Sequence, residues 1–270
     1  MPQPTPPAAP SEPIRSAANP TLAWVRSLQR RDARSVERAF VVEGHRAVAD
    51  ALATGAIPKL ILVREDQIDA VAAWRDRPDL RIRPVAAPLF KRLTDTHTSP
   101  GLLAVFPFPA ITPPAPDARS LILLLDRIRD PGNFGTLLRS AAGAGVDLVY
   151  ATATSVDPFN PKVVRAAMGA HFRLPVLPFD TDAQRVVQSL PLRVAAAAAA
   201  STTYDAIDWR QPALLIIGSE ADGVDADIAA LATVTAAIPL AARVESLNAA
   251  MAGVVILFEA SRQRRRAPIA

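Results

Sequence analysis

The sequence predicts an α/β protein in two parts, a small α/β domain followed by a larger one on a mainly parallel sheet. Three observations carry that expectation. Short runs rich in Val, Ile and Leu recur along the chain and alternate with segments of helical periodicity. A proline cluster at Pro107, Pro109, Pro113, Pro114 and Pro116 splits this alternation into two series and reads as a semi-rigid linker. Three polar segments in the second series sit where an apolar run ends and a helical pattern begins, and in an open α/β sheet that edge is where ligands bind.

The elements follow in order. Residues 1 to about 15 carry six prolines and read as a disordered tail. From 16 to 108 the pattern gives a helix from about Pro20 to Arg30, a strand at Ala39 to Glu43, a helix from His45 to Thr54 and a strand at Lys59 to Val63. A helix near Gln67 to Trp74, a strand at Arg81 to Val85, a short helix around Pro88 to Leu93 and a strand at Gly101 to Phe106 complete that domain. After the linker at 109 to 118, strands are expected at Leu121 to Leu125, Asp147 to Ala151, Leu174 to Leu177, Arg193 to Ala199, Ala213 to Ile217 and Thr233 to Ile238. Helices fall between them, Ser246 to Gln263 forms the last one, and a basic tail runs from 264 to 270. Alternation of this kind implies a parallel sheet covered on both faces. The alanine run Ala195 to Ala200 suits a helix by propensity, but its place before Ser201-Thr202-Thr203, which reads as a turn, favours a buried strand.

Composition narrows the chemistry. Half of the 270 residues are apolar, which suffices for a buried core. The longest apolar runs, Val194 to Ala200 and Ala249 to Phe258, are shorter than the roughly 18 to 20 residues that cross a bilayer, so no membrane segment is expected. No secretory signal is visible and cysteine is absent, so the expected compartment is the cytoplasm. Without thiols, Cys-rich zinc sites and methylation of a pyrimidine through a cysteine nucleophile are excluded. His45, His97 and His171 lack metal-ligand spacing, so no metal is expected. The net charge is +4 and lysine occurs only at Lys59, Lys91 and Lys162, leaving the basic character to arginine, whose planar fork suits phosphate. Arg26, Arg30, Arg31, Arg34 and Arg38, with Lys91 and Arg92, read as a basic face for nucleic acid; the alternative is a plain bias toward arginine.

The first polar segment is Asp130-Pro-Gly-Asn133-Phe-Gly135 with Arg139 six residues after the asparagine. Pro131 and Gly132 enforce a turn, Asn133 offers an amide, and Arg139 about two turns on is expected to face the same cleft. No G-x-G-x-x-G follows a strand, which disfavours a dinucleotide site. The second segment, Gly218-Ser219-Glu220 with Gly223, places glycines at the top of a strand, where a cofactor can lie against the backbone, beside a carboxylate that can pair with a cation. In the third, Ile238-Pro239 precedes Glu245-Ser246-Leu247-Asn248. Ser246 reads as the N-cap of the last helix and Asn248, one step inside, has no capping role.

In this order these residues resemble the SpoU, or TrmH-like, family of SPOUT-class RNA ribose 2′-O-methyltransferases. The resemblance covers 119 to 263 and includes Asp157-Pro-Phe-Asn-Pro-Lys162 through Arg165 to Ala170, with Ala167 where members often carry serine. Residues 16 to 108 resemble a ribosomal-protein-L30-like substrate-binding domain through Phe40-Val-Val-Glu43-Gly44 and Thr98-Ser-Pro100-Gly101. The resemblance implies a C-terminal trefoil knot, S-adenosylmethionine as cofactor, structured RNA as substrate, and a homodimer with an active site completed across its interface. It also implies catalytic roles for Asn133, Arg139, Glu220, Ser246 and Asn248, and cofactor contacts from Gly218, Ile238, Leu240 and Leu247.

Families of this kind assign Arg139 the role of base, but arginine stays protonated in proteins. The expectation is instead that its guanidinium contacts RNA phosphate and the 2′-oxygen while Ser246, Asn248 or water takes the proton. Ribosomal RNA is the expected substrate. The alternatives are a tRNA ribose methyltransferase and a non-catalytic RNA-binding assembly factor.

Overall fold

A computed structural model describes residues 12–94, 100–110, 112–113, 115–241 and 246–266. His97, Thr98, Ser99 and Glu245, all singled out above, lie outside the described residues, as do 1–11 and 267–270 of the two tails. The chain divides into two compact units, Met1–Pro109 with Phe159–Pro161, and Ala110–Pro158 with Lys162–Ala270.

In the first unit, α1 (Pro20–Ser27) starts where Asn19 accepts a hydrogen bond from the Thr21 amide at 2.9 Å and Pro20 occupies the first helical position. A second helix, α2 (Arg31–Glu37), was not expected from the sequence; it ends at Arg38, which adopts a left-handed conformation. Arg34 corrects the expected basic face. It is buried, and its guanidinium donates to the carbonyls of Leu28 and Gln29 at 2.9 and 2.8 Å, so it closes the end of α1. Then come β1 (Ala39–Glu43), α3 (His45–Ala53), β2 (Leu60–Arg64), a 3-10 stretch at Glu65–Trp74, β3 (Ile82–Val85), α4 (Ala87–Phe90) and β4 (Leu102–Pro107). The sheet order is β1-β4-β2-β3, with β4 antiparallel to both neighbours and β2 parallel to β3, so this sheet is mixed. The N-terminal tail is shorter than expected: Ile14 is buried and exchanges backbone hydrogen bonds with Pro84 and Ala86 beside β3.

The second unit carries β5 (Leu121–Leu125), α5 (Pro131–Ala144), β6 (Leu148–Ala151), α6 (Pro161–Ala167), a 3-10 turn at Ala170–Phe172, β7 (Val176–Pro178), α7 (Thr181–Ser189) and β8 (Leu192–Ala196). It continues with β9 (Thr202–Thr203), β10 (Ala213–Ile217), α8 (Ala226–Ala229), β11 (Val234–Ala237) and α9 (Ala249–Arg266). Among the described residues, seven strands pair in parallel in the order β7-β6-β5-β10-β8-β11-β9. Side chains alternate across a strand, so Leu121, Leu123 and Leu125 of β5 join one core while Ile122 and Leu124 join the other. Burial on both faces explains why β5 and β10 read as unbroken apolar runs.

Several strand expectations shift: β7 begins at Val176, two residues later than expected, and β11 is Val234–Ala237 rather than Thr233 to Ile238. β8 stops at Ala196, leaving Ala197–Ala199 outside it, and the presumed turn at Thr202-Thr203 forms a two-residue edge strand on β11. α9 starts three residues later than expected and consumes much of the presumed basic tail. Arg264 there is partly buried; its guanidinium donates to the carbonyls of Arg119, Ser120 (3.2 Å) and Gln211 (2.7 Å) at the start of β5 and β10. The order that matters most for function is β5-β10-β8-β11. These four neighbours are parallel, so the loops that follow them open at one edge of the sheet.

Candidate active site

α5 opens with Asp130 as N-cap, accepting from the Asn133 amide at 2.7 Å, and Pro131 at its first position. This leaves the Asn133 side chain at the mouth of the helix, where its Nδ2 donates to Oε1 of Glu220 in the loop after β10. Asn248 Nδ2 donates to the same oxygen at 2.7 Å and to Asn133 Oδ1 at 3.2 Å. One residue from each of the three polar segments therefore meets in a closed hydrogen-bonded cluster. The other end of the Asn248 carboxamide accepts from the amides of Ala250 (3.0 Å) and Met251 (3.2 Å). Asn248, not Ser246, is thus the N-cap of α9, and one side chain both starts that helix and fixes the carboxylate.

The expectation that Arg139 shares the cleft of Asn133 does not hold within one chain. Six residues of α-helix are one and two-thirds turns, which rotates the side chain about 120° from Asn133. Arg139 is exposed and makes no hydrogen bond or ion pair among the described residues.

Beside the cluster lies a cavity of about 500 Å³ at the carboxyl ends of β8, β10 and β11. Gly218, Ile238, Leu240 and Leu247 all line it, joined by Glu220 and Ser246. Sequence reasoning missed one wall, Ala195–Ala199. The signal was present in the run of small side chains, which leaves room above a strand end without closing it. Its size and largely apolar lining with a carboxylate at one end are those of a small-molecule pocket, and suit a nucleoside bearing a cationic centre. The loop at Gly218 doubles back so tightly that a Cβ there would overlap Gly223 and Val224. The glycine is therefore required by the loop itself.

Glycines also fix the helices that frame the site. A Cβ at Gly135 would overlap Ala166 and the backbone of Val163 on α6, and one at Gly253 would overlap Leu137, so α5 and α9 pack closely. Ala167 is fully buried.

Residues 120–258 match the SpoU rRNA Methylase family, and 19–104 match an MRM3-like substrate binding domain. The 23S rRNA (guanosine(2553)-2′-O)-methyltransferase RlmP of Bacillus subtilis is 31% identical, the match covering 91% of this chain and 97% of RlmP. The AdoMet-bound rRNA methyltransferase from Sinorhizobium meliloti superposes with a TM-score of 0.81 at 31% identity, over 93% of this chain and 97% of the other. The SpoU methyltransferase AviRb from Streptomyces viridochromogenes, in complex with AdoMet, gives a TM-score of 0.83 at 27% identity, over 92% and 99%.

Proposed function

The chain belongs to the SpoU rRNA Methylase family, and from that premise we propose how its residues carry out the reaction, the S-adenosylmethionine-dependent methylation of a ribose 2′-hydroxyl in ribosomal RNA. The observation that carries the proposal is the Asn133–Glu220–Asn248 cluster beside a cavity of about 500 Å³. When bound, S-adenosylmethionine supplies an electrophilic methyl on a sulfonium. Gly218, Ile238, Leu240 and Leu247 would hold it, with the alanine wall accommodating its flat and apolar parts.

Glu220 takes the proton. Its Oε1 is held by two carboxamide donors, while Oε2 has no hydrogen-bond partner among the described residues. The two asparagines cannot replace it, because a carboxamide is not a base at neutral pH and both ends of Asn248 are engaged. Their work is to orient the carboxylate, and Ser246 at the cavity wall binds a neighbouring polar group. Glu220→Gln keeps the shape and both donors' reach but removes the base. It is expected to lower kcat by about 10²- to 10⁴-fold with donor binding retained. Full turnover by that variant would refute the assignment.

Arg139 serves the other protomer of a homodimer. Two features support this: its exposed position away from its own cluster, and an apolar face on α9 formed by Met251, Val255 and Phe258 at 48%, 36% and 44% exposure. Spacings of four and three residues put these three on one stripe, of the kind that a second copy covers. Mixing Arg139→Ala and Glu220→Gln protomers is expected to restore activity, since one site per mixed dimer then has both groups; no restoration places Arg139 in its own site. The guanidinium binds phosphate and stabilises the developing alkoxide.

The domain at 16 to 108 docks structured RNA, the domain at 119 to 263 carries the chemistry, and the C-terminal segment forms the family's knot. No helix among the described residues is long and apolar enough to cross a membrane; with an RNA substrate, the cytoplasm is the compartment assigned.

A further inference from the structure

Glu220 sits on a loop with little of its own to hold it. From Glu220 to Gly223 the residues are exposed. Inside the loop, Ser219 and Gly223 exchange backbone hydrogen bonds at 3.0 Å each, and the Ser219 hydroxyl accepts from the Asp222 amide at 3.0 Å. Asn133 and Asn248 hold the Glu220 side chain from outside, and the loop's backbone is restrained further by the two residues that follow β5. Asp126 is 1% exposed; its Oδ1 accepts from Thr152 at 3.1 Å and its Oδ2 accepts from the Asp225 amide at 2.7 Å. Arg127 adopts a left-handed φ of 54°, a conformation uncommon outside glycine, with its own amide donating to Thr152 Oγ1 at 3.1 Å. Its guanidinium donates to the Gly223 carbonyl at 3.3 Å and lies within ion-pair distance, without a hydrogen bond, of the Asp126 carboxylate at 3.3 Å and the Asp225 carboxylate at 3.6 Å.

We infer that Arg127 is a positioning residue for the reaction: together with buried Asp126 it ties both the backbone and the far end of the Gly218–Asp225 loop to β5, and so fixes Glu220 beside the donor cavity. The inference rests on the functional reading above. The loop lines the cavity at Gly218, Ser219, Glu220 and Gly223, so any slack in it moves the base and reshapes the donor pocket together. Asp126 alone anchors only the Asp225 amide. The guanidinium supplies the bond to Gly223, on the strand-like return that places Glu220. A guanidinium can donate to a carbonyl while its delocalised charge pairs with two carboxylates at once. An unfavourable backbone conformation retained next to a functional loop fits the same role.

The test compares the unaltered full-length protein with Arg127→Gly and Arg127→Lys. Glycine tolerates the left-handed conformation, so Arg127→Gly removes the tie without adding backbone strain. The readouts are the S-adenosylmethionine Kd by calorimetry, kcat and donor KM on ribosomal RNA, and the thermal midpoint. The expected result for Arg127→Gly is a folded protein whose donor Kd and KM rise about tenfold and whose kcat falls by about the same factor, with RNA affinity unchanged. Arg127→Lys keeps the charge but offers one nitrogen, and is expected to lie between the two. A Gly variant with lower thermal stability but unaltered donor Kd and kcat would overturn the inference, because that is what a purely structural ion pair gives. Should the Gly variant not fold, the Lys variant decides: donor Kd and kcat equal to the unaltered protein overturn the inference, and several-fold changes support it. Failure of the unaltered protein to bind the donor would instead overturn the functional reading itself.

Discussion

Asn248 has two separable jobs, and substitution can separate them. Its Oδ1 caps α9 through Ala250 and Met251, and its Nδ2 holds Glu220 and Asn133. Losing an Asn N-cap to alanine costs about 1 kcal/mol, and losing a hydrogen bond to a carboxylate at an exposed site costs about 0.5–1 kcal/mol. Asn248→Ala should therefore destabilise by about 2 kcal/mol, or about 4–8 °C in Tm for a domain of this size. Asn248→Ser keeps a good cap but is too short to reach Glu220, so its loss should be about 1 kcal/mol smaller. Both variants leave the carboxylate held by Asn133 alone, and turnover should fall by about 10²-fold in each. Thermal denaturation followed by circular dichroism and a donor-dependent RNA methylation assay read the two effects. Equal Tm values for the Ala and Ser variants would refute the cap, and an Asn248→Ser enzyme within twofold of full activity would refute the cluster.

Burial pushes the His171 imidazole down to about 4 from its ordinary 6.5, while Nε2 bonds the Pro158 carbonyl at 2.7 Å. The folded state therefore favours the neutral ring. The resulting stability is fully present above pH 6.5 and is lost as pH falls toward 4, by up to about 3 kcal/mol; urea unfolding at several pH values should show that slope, and His171→Gln should remove it. Arg264→Ala removes the guanidinium donor from the carbonyls of Arg119, Ser120 and Gln211 and should cost about 2 kcal/mol, read as a lower Tm. On the RNA side, Arg31→Ala with Arg92→Ala removes two exposed charges, lowering affinity and reducing the slope of log K against log salt by about 1 for each phosphate no longer neutralised. Arg34→Ala should not reduce that slope, since Arg34 faces inward.

Much of the fold was legible because burial on both faces leaves a strong mark. β1, β5 and β10 occupy the residues that their apolar runs predict. Ambiguity entered where side chains carry little directional information. Alanine suits strand, helix and loop alike, so the end of β8 was overrun and the alanine wall of the cavity went unnoticed. Ser246 and Asn248, two residues apart, are both residue types that cap helices, and the sequence favoured Ser246; the structure gives the cap to Asn248, whose other end bonds Glu220, 28 residues earlier in the chain. The three polar segments themselves were visible because loops at the ends of parallel strands must converge. Arg139 was misplaced by treating six residues as two turns. Asp126 and Arg127 left no sequence signal, since their partners Gly223 and Asp225 are nearly a hundred residues away and are brought near by pairing of β5 with β10.

The most direct measurement is mass spectrometry of ribosomal RNA from cells lacking the gene, after incubation with purified protein and isotopically labelled S-adenosylmethionine. A single nucleoside gaining the label on its ribose 2′-oxygen, with none gained when Glu220→Gln replaces the protein, is the expected result. Label on a base, or donor bound without any transfer to ribosomal RNA, would contradict it.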